Sequence, residues 1–156
     1  MKSDHLMAQA VADRVGATKR QIQMWTDAGV LVCLPETHRK GRGRQRLYER
    51  SELPYATVIA ELAKMKLPIG TLQVFSEHMR DTLEEAKGER KKFYQAALNG
   101  NVESYLILDN REGDYSTYSW ADTENAVDIL KKYTGAVFVN VQAVIRKVQF
   151  GEVASA

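Results

Sequence analysis

The chain has 156 residues, of which 44% are hydrophobic and 27% charged, with a formal net charge of +2. This size and apolar content suit one domain or two small ones with a packed core. No apolar run approaches the ~20 residues that span a bilayer, and the N-terminus lacks the apolar stretch of a signal peptide, so we expect a cytoplasmic protein without membrane contact. The single cysteine, Cys33, excludes an intramolecular disulfide and a cysteine-cluster metal site, and the three histidines lack ligand spacing. We expect no metal and no cofactor.

The first elements predict a helix-turn-helix. Apolar residues recur near spacings of 3 and 4 from Leu6 to Val15, which indicates a helix with one buried stripe, and Gly16 would end it. Thr18 would then cap a second helix running from Lys19 to about Asp27.

The second helix would carry polar residues that suit a nucleic acid. Ile22 and Trp25 point inward, which leaves Lys19, Arg20 and Gln23 outward. Arginine pairs with guanine and glutamine with adenine in a major groove, and either can hold a phosphate. The same three residues could also simply solvate a surface helix.

A β-rich apolar run from Val30 to Leu34 predicts a strand, and a basic segment follows it. Within residues 38–46 lie two glycines and five cations, namely Arg39, Lys40, Arg42, Arg44 and Arg46. Residues 1–50 contain ten Lys/Arg against five Asp/Glu, whereas residues 51–156 contain twelve against fifteen. Beside a helix-turn-helix, this segment predicts a basic wing that grips phosphate, although such a run alone could be a solvated loop.

These features, in this order, resemble the DNA-binding domain of the MerR family of transcriptional regulators. The motifs are Ala-Gly-Val-Leu at 28–31, Arg46-Leu47-Tyr48 after the basic segment, an acidic helix start at Ser51-Glu52-Leu53, and the interhelical loop 66–72. The resemblance covers residues 5 to about 80, roughly half of the chain, and depends on the order and spacing of the motifs.

The resemblance implies roles for individual residues. Arg20 and Gln23 would face DNA, Lys19 would lie near the backbone, and Arg44 and Arg46 would serve the wing. Tyr48 would close the wing onto the helical core and touch phosphate through its hydroxyl. Where the family has Arg-Tyr-Tyr, this chain has Gln-Met-Trp at 23–25, so its operator and register on DNA would differ. Cys33 would be either a small buried residue, which we favour, or a redox sensor.

Further helices are predicted downstream. Ser51 would cap a helix with Pro54 in its first turn, ending near Met65, and another would start at Thr71. The stripe of Leu72, Phe75, Met79 and Leu83 is interpreted as intramolecular core, with a dimer seam as the alternative. Gly88 would interrupt this helix, and a short one would run to about Leu98.

The chain changes character after residue 101. Residues 105–108 and 115–120 predict a β-hairpin, then a helix capped by Asp122 or Thr123, a strand over 137–141 and a last helix, which gives a ββαβα order. Six aromatic residues here could line a pocket for an aromatic or cationic ligand, but we favour core and sheet positions: Tyr105, Tyr115, Tyr118, Trp120, Tyr133 and Phe138. We therefore favour dimerisation or partner contact over ligand sensing for this unit.

The predicted fold is α+β: a winged helix-turn-helix over 1–80, mostly helical with a β-hairpin wing, a helical linker or dimerisation segment over 81–101, and the ββαβα unit over 102–156. The predicted function is sequence-specific binding of double-stranded DNA by a non-enzymatic regulator of transcription, with Thr18 among its DNA-binding residues. The resemblance implies a homodimer on a two-fold site, promoter distortion and RNA polymerase as a candidate partner on the bacterial nucleoid, with no effector identified. The alternative is an architectural protein, excisionase-like or chromosome-organising, that bends or anchors DNA.

Overall fold

The computed structural model describes residues 4–38, 45–109 and 117–149. Up to residue 85, the chain contains strand β1 (His5–Met7), helices α1 (Ala8–Val15) and α2 (Lys19–Asp27), strand β2 (Leu47–Glu49), and helices α3 (Leu53–Lys64) and α4 (Ile69–Glu85). After residue 85, it contains helix α5 (Gly88–Leu98), strands β3 (Tyr105–Asp109) and β4 (Thr117–Ala121), helix α6 (Thr123–Leu130), strand β5 (Ala136–Asn140) and helix α7 (Val141–Gln149). The protein thus combines helices with two small sheets.

Local sequence sets both ends of the turn between α1 and α2. Gly16 follows α1 in the left-handed region, at a φ of 71°. Thr18 begins α2 with a reciprocal capping box: its Oγ1 accepts from the Gln21 amide at 3.1 Å, and its own amide donates to Gln21 Oε1 at 2.9 Å. The predicted bounds of α2 are confirmed.

Two predictions near this motif are wrong. Leu6 and Met7 do not belong to the first helix, because β1 pairs antiparallel with β2 and sets Leu6 opposite Tyr48. Residues 30–34 do not form a strand. Instead the amides of Val30 and Leu31 both donate to the Trp25 carbonyl, so the chain wraps around the end of α2.

Two helix starts also differ from the predictions. Ser51 does not cap α3, since its hydroxyl donates to Glu49 Oε2 at 3.1 Å, and residues 50–52 form a 3₁₀ turn before the helix. Helix α4 starts at Ile69, directly after Pro68, rather than at Thr71. Pro54 lies in the first turn of α3, as predicted.

One buried core extends through both parts of the chain. Leu72, Phe75 and Met79 lie within it, so the stripe on α4 is intramolecular core, as favoured. Helix α7 packs on α3 and contributes Val141 and Ile145 to the same core. The second unit is therefore held against the helix-turn-helix domain by apolar packing.

The larger sheet has the order β4-β3-β5, and both pairs are antiparallel. Leu106 and Leu108 belong to the main core, whereas Ile107 packs on the opposite face of the sheet with Ala121 of β4 and Ala126 of α6. Tyr118 links this sheet to α4, because its hydroxyl donates to the His78 carbonyl at 2.7 Å and contacts the Thr82 hydroxyl.

Candidate nucleic-acid interface

The outer face of α2 is polar and accessible. Ile22, Trp25 and Thr26 are buried on the other side of the helix. The exposed residues of α2 are Lys19, Arg20, Gln23, Met24 and Asp27. The structure thus brings the three residues that were predicted to point outward, Lys19, Arg20 and Gln23, onto one solvent-facing surface.

Met24 belongs to this surface, although sequence reasoning treated it only as a departure from the family pattern. It is 48% exposed and, four residues after Arg20, lies on the same side of the helix. An apolar side chain at such a place could contact a thymine methyl group. The sequence signal for Met24 is its spacing of four residues from Arg20, which places both side chains on the same side of a helix.

Arg46 has a different environment from the one expected of a wing residue. Its Nη2 donates to Asp27 Oδ1 at 2.5 Å and its Nη1 to the Gln23 carbonyl at 3.3 Å. The Arg46 side chain is 11% exposed. Burial acts to lower the pKa of Arg46, but the hydrogen bond and the charge of Asp27 outweigh it and raise the pKa. Arg46 therefore braces the last turn of α2 and neutralises its carboxylate.

Tyr48 closes the strand onto the helical core, but its hydroxyl does not reach solvent. The residue is fully buried, and the hydroxyl is hydrogen bonded to Thr26 Oγ1 at 2.8 Å. Burial raises the pKa of Tyr48, while the Thr26 hydrogen bond acts in the opposite direction. The expected phosphate contact is thus corrected to a buried link between β2 and α2.

The remaining predicted residues fall into two groups. Thr18 uses its hydroxyl to accept from the Gln21 amide, which fixes the start of α2. The other predicted wing cations, Arg39, Lys40, Arg42 and Arg44, lie outside the described residues.

A charged network supports the segment that follows α2. Glu52 is buried and accepts from the Val32 amide at 2.9 Å and from both terminal nitrogens of Arg80, at 2.9 Å for Nη1. The Arg80 guanidinium also lies 4.1 Å from the Tyr55 ring centroid. Ser76 donates to the Val30 carbonyl at 2.6 Å. Sequence reasoning missed this network, because Glu52 and Arg80 are far apart along the chain.

Cys33 is buried, and its Sγ lies 3.2 Å from His38 Nδ1. This burial favours the packing interpretation of Cys33 over the redox one. Within the part of the chain that the structure describes, no group of three or more His, Cys, Asp or Glu residues could hold a metal ion. The helices of that part are also too short or too polar to cross a membrane.

Residues 7–78 match the model of the MerR helix-turn-helix family of regulatory proteins. This region, just under half of the chain, is similar to the MerR helix-turn-helix domain. No curated protein matches the chain. Proteins with a MerR domain are typically non-enzymatic, and the domain indicates binding of double-stranded DNA and regulation of transcription. The matched MerR region contains α1, α2, β2, α3 and much of α4, and so includes the exposed face of α2 and its Arg46 brace.

Proposed function

We propose that this protein is a sequence-specific transcriptional regulator that binds a two-fold DNA site as a dimer and distorts promoter DNA. The observation that carries the proposal is the outer face of α2, where Lys19, Arg20 and Gln23 are exposed on a helix that is capped at its start and braced at its end.

The chemistry of this face favours a major groove. A recognition helix enters the groove with base-reading residues near its N-terminal half. Arg20 and Gln23 occupy such positions, and their side chains can make paired hydrogen bonds to guanine and adenine. Lys19, the first residue of α2, would contact the phosphate backbone. Each subunit would then place its basic wing on the flanking backbone.

The rigid placement of α2 favours sequence-specific binding of DNA over non-specific attraction to phosphate. Direct readout of sequence requires side chains that are held in register with base edges. The capping box at Thr18, the Arg46 contacts to the last turn and the Tyr48 hydroxyl bonded to Thr26 each fix α2 against the rest of the domain. A protein that only anchored DNA would need cations but not this fixed orientation.

Distortion of the promoter is the part of the proposal that comes from the family. In that mechanism, bending and untwisting bring both promoter elements into reach of RNA polymerase, and the energy of deformation contributes to site choice. The protein would act in the bacterial cytoplasm, on the nucleoid. No effector is assigned.

Selection of bound genomic fragments, followed by footprinting, tests the proposal. We expect one protected dyad within an overlong promoter spacer. Scattered or phased sites without a promoter would instead favour the architectural alternative. The Arg20→Ala variant should alter the preferred sequence, whereas the neighbouring Lys19→Ala variant should weaken binding about equally for all sequences. Identical preferences in wild type and Arg20→Ala would contradict the assignment of α2 as the reading helix.

A further inference from the structure

Met24 is an apolar side chain within the polar face of α2. Among the residues of this helix, all of which the structure describes, it is the one large apolar side chain that is exposed, at 48%. It does not contribute to the core of the described chain. A single exposed methionine is ordinary on a protein surface, so its meaning depends on what surrounds it.

The residues beside Met24 on α2 are polar. Arg20, Gln23, Met24 and Asp27 follow one another at spacings of three and four, which sets them along one side of the helix, and all four are exposed. A surface that docks another protein presents a contiguous apolar patch. Here one apolar group lies among hydrogen-bonding groups, so the face matches a partner that is polar with isolated apolar groups.

The major groove of DNA is a surface of this kind. Its base edges present hydrogen-bond donors and acceptors, and its prominent apolar group is the C5 methyl group of thymine. Arg20 can pair with guanine and Gln23 with adenine, whereas Met24 can offer only an apolar contact. 5-Methylcytosine carries the same methyl group on the same ring atom. The chemistry that complements Met24 is therefore the C5 methyl group of a pyrimidine.

The backbone around Met24 is fixed while its side chain is free to adjust. Nη1 of Arg46 donates to the Gln23 carbonyl at 3.3 Å, and the Ala28 amide donates to the Met24 carbonyl at 3.0 Å. The unbranched thioether side chain can then fit itself to a base while the helix stays in place. Arg46 also pairs with Asp27, so Met24 does not lie beside an unpaired carboxylate.

We propose that Met24 makes α2 a reader of the C5 methyl group of a pyrimidine, which is thymine in an unmodified site and 5-methylcytosine in a methylated one. The inference deepens the proposed function and rests on it, because it names the base group that the same helix reads. It concerns a position at which this chain departs from the family pattern, since Met24 stands where the family has a tyrosine. Apolar contact, and not a hydrogen bond, sets the preferred base there.

Replacing thymine by deoxyuridine in the DNA tests the inference, because deoxyuridine lacks only the C5 methyl group. Each thymine in a half-site of the footprinted dyad is replaced in turn. We expect one replacement to weaken binding of the wild type about fourfold, which is the loss expected when one methyl group leaves an apolar contact. Binding of Met24→Ala should not change with that replacement. A wild type that binds every thymine and deoxyuridine site equally would overturn the inference.

Cytosine methylation separates the methyl group from the rest of thymine. At the position that the replacements identify, the wild type should bind 5-methylcytosine about fourfold more tightly than cytosine, and Met24→Ala should not distinguish the two. The inference fails if the wild type gains nothing from 5-methylcytosine. It also fails if Met24→Ala keeps either preference, because DNA shape would then be the cause.

Met65→Ala is the matched control for both measurements. Met65 is a methionine directly after α3 that is 42% exposed and lies outside α2, so its variant should keep both methyl preferences. Loss of the preferences in Met65→Ala would contradict the assignment to Met24. Thermal unfolding should show Met24→Ala to be as stable as the wild type, because the Met24 side chain lies outside the core.

These experiments separate failure of the inference from failure of the proposed function. A wild type that binds no DNA, or binds all sequences alike, would contradict the proposed function and the inference with it. A wild type that selects the dyad, loses that preference in Arg20→Ala and ignores the C5 methyl group would contradict the inference alone.

Discussion

Arg46 and Asp27 form an ion pair that joins the end of the basic segment to the last turn of α2, with 2.5 Å between Nη2 and Oδ1. The pair has a consequence for DNA binding. Asp27 is half exposed on the same helix face as Arg20 and Gln23, so an unpaired carboxylate there would repel phosphate. Arg46 removes that repulsion and fixes the helix end at the same time.

Removing Arg46 should therefore weaken DNA binding through Asp27. We expect Arg46→Ala to reduce affinity by about tenfold or more, since it exposes a carboxylate near phosphates. Adding Asp27→Asn to that variant should restore part of the loss. A double-mutant cycle on one DNA site measures the coupling. If the two changes were simply additive, Arg46 would be acting as an independent phosphate contact.

Arg44 should behave as an ordinary phosphate contact. The Arg44→Ala variant should bind all sequences more weakly, and the slope of log affinity against log salt should fall by about one. Titrations at several salt concentrations provide the measurement, with Lys92→Ala as the control, because Lys92 is an exposed cation on α5. An unchanged slope for Arg44→Ala would show that Arg44 does not contact a phosphate.

Breaking the Glu52–Arg80 pair should destabilise the fold. Arg80→Met would leave Glu52, whose side chain is 8% exposed, without its cationic partner. We expect a loss of about 3 kcal/mol in the free energy of unfolding, because an unpaired buried charge is costly. Combining Arg80→Met with Glu52→Gln should cost less than Arg80→Met alone. Urea denaturation tests this order, and equal losses would show that charge burial is not the cause.

The buried Tyr48 and Tyr55 and the partly buried Tyr118 should make the fold sensitive to alkali. Burial raises the pKa of Tyr48, Tyr55 and Tyr118 above the ordinary value of 10.0. The unfolded chain then loses these protons first, so their contribution to stability is complete below about pH 10 and is lost as pH rises through the folded-state pKa values. The free energy of unfolding should fall steeply there.

Replacing one of these tyrosines measures its contribution to the loss of stability at alkaline pH. Tyr48→Phe should cost about 1 kcal/mol near neutral pH, because Thr26 loses a buried hydrogen bond. The same variant should show a shallower alkaline decline, measured by urea denaturation across the pH range. A decline as steep as that of the wild type would mean that Tyr48 does not contribute.

Alanine substitutions at two glycines distinguish the cost of backbone strain from the cost of steric contact. Gly16 and Gly100 have φ values of 71° and 72°, but a Cβ on Gly16 would meet open space, whereas one on Gly100 would lie 3.1 Å from Ile145 Cγ2. Gly16→Ala should cost about 1 kcal/mol from the left-handed conformation alone. Gly100→Ala should cost more, because Ile145 of α7 must also shift. Thermal unfolding of both variants makes the comparison, and equal costs would show that the α5–α7 contact yields easily.

The helix-turn-helix could be predicted because its signals are local. Thr18 and Gly16 set helix ends through their own backbone neighbours, and the apolar spacing of Ile22 and Trp25 fixes which face of α2 is exposed. The same applies to the stripe on α4. Residues 30–34 failed as a predicted strand because β propensity is realised only with a pairing partner, and β2 pairs with β1 instead.

The sequence by itself determined helix α2, the outward position of Lys19, Arg20 and Gln23, and the family that the domain resembles, since these depend on residues within a few turns of one another. Only the tertiary structure decided that Arg46 pairs with Asp27, that Tyr48 is bonded to Thr26 inside the core, and that Glu52 meets Arg80. Each of these pairs joins residues 19 or more positions apart. Their meeting depends on how separate elements pack, and periodicity and capping signals do not encode that packing.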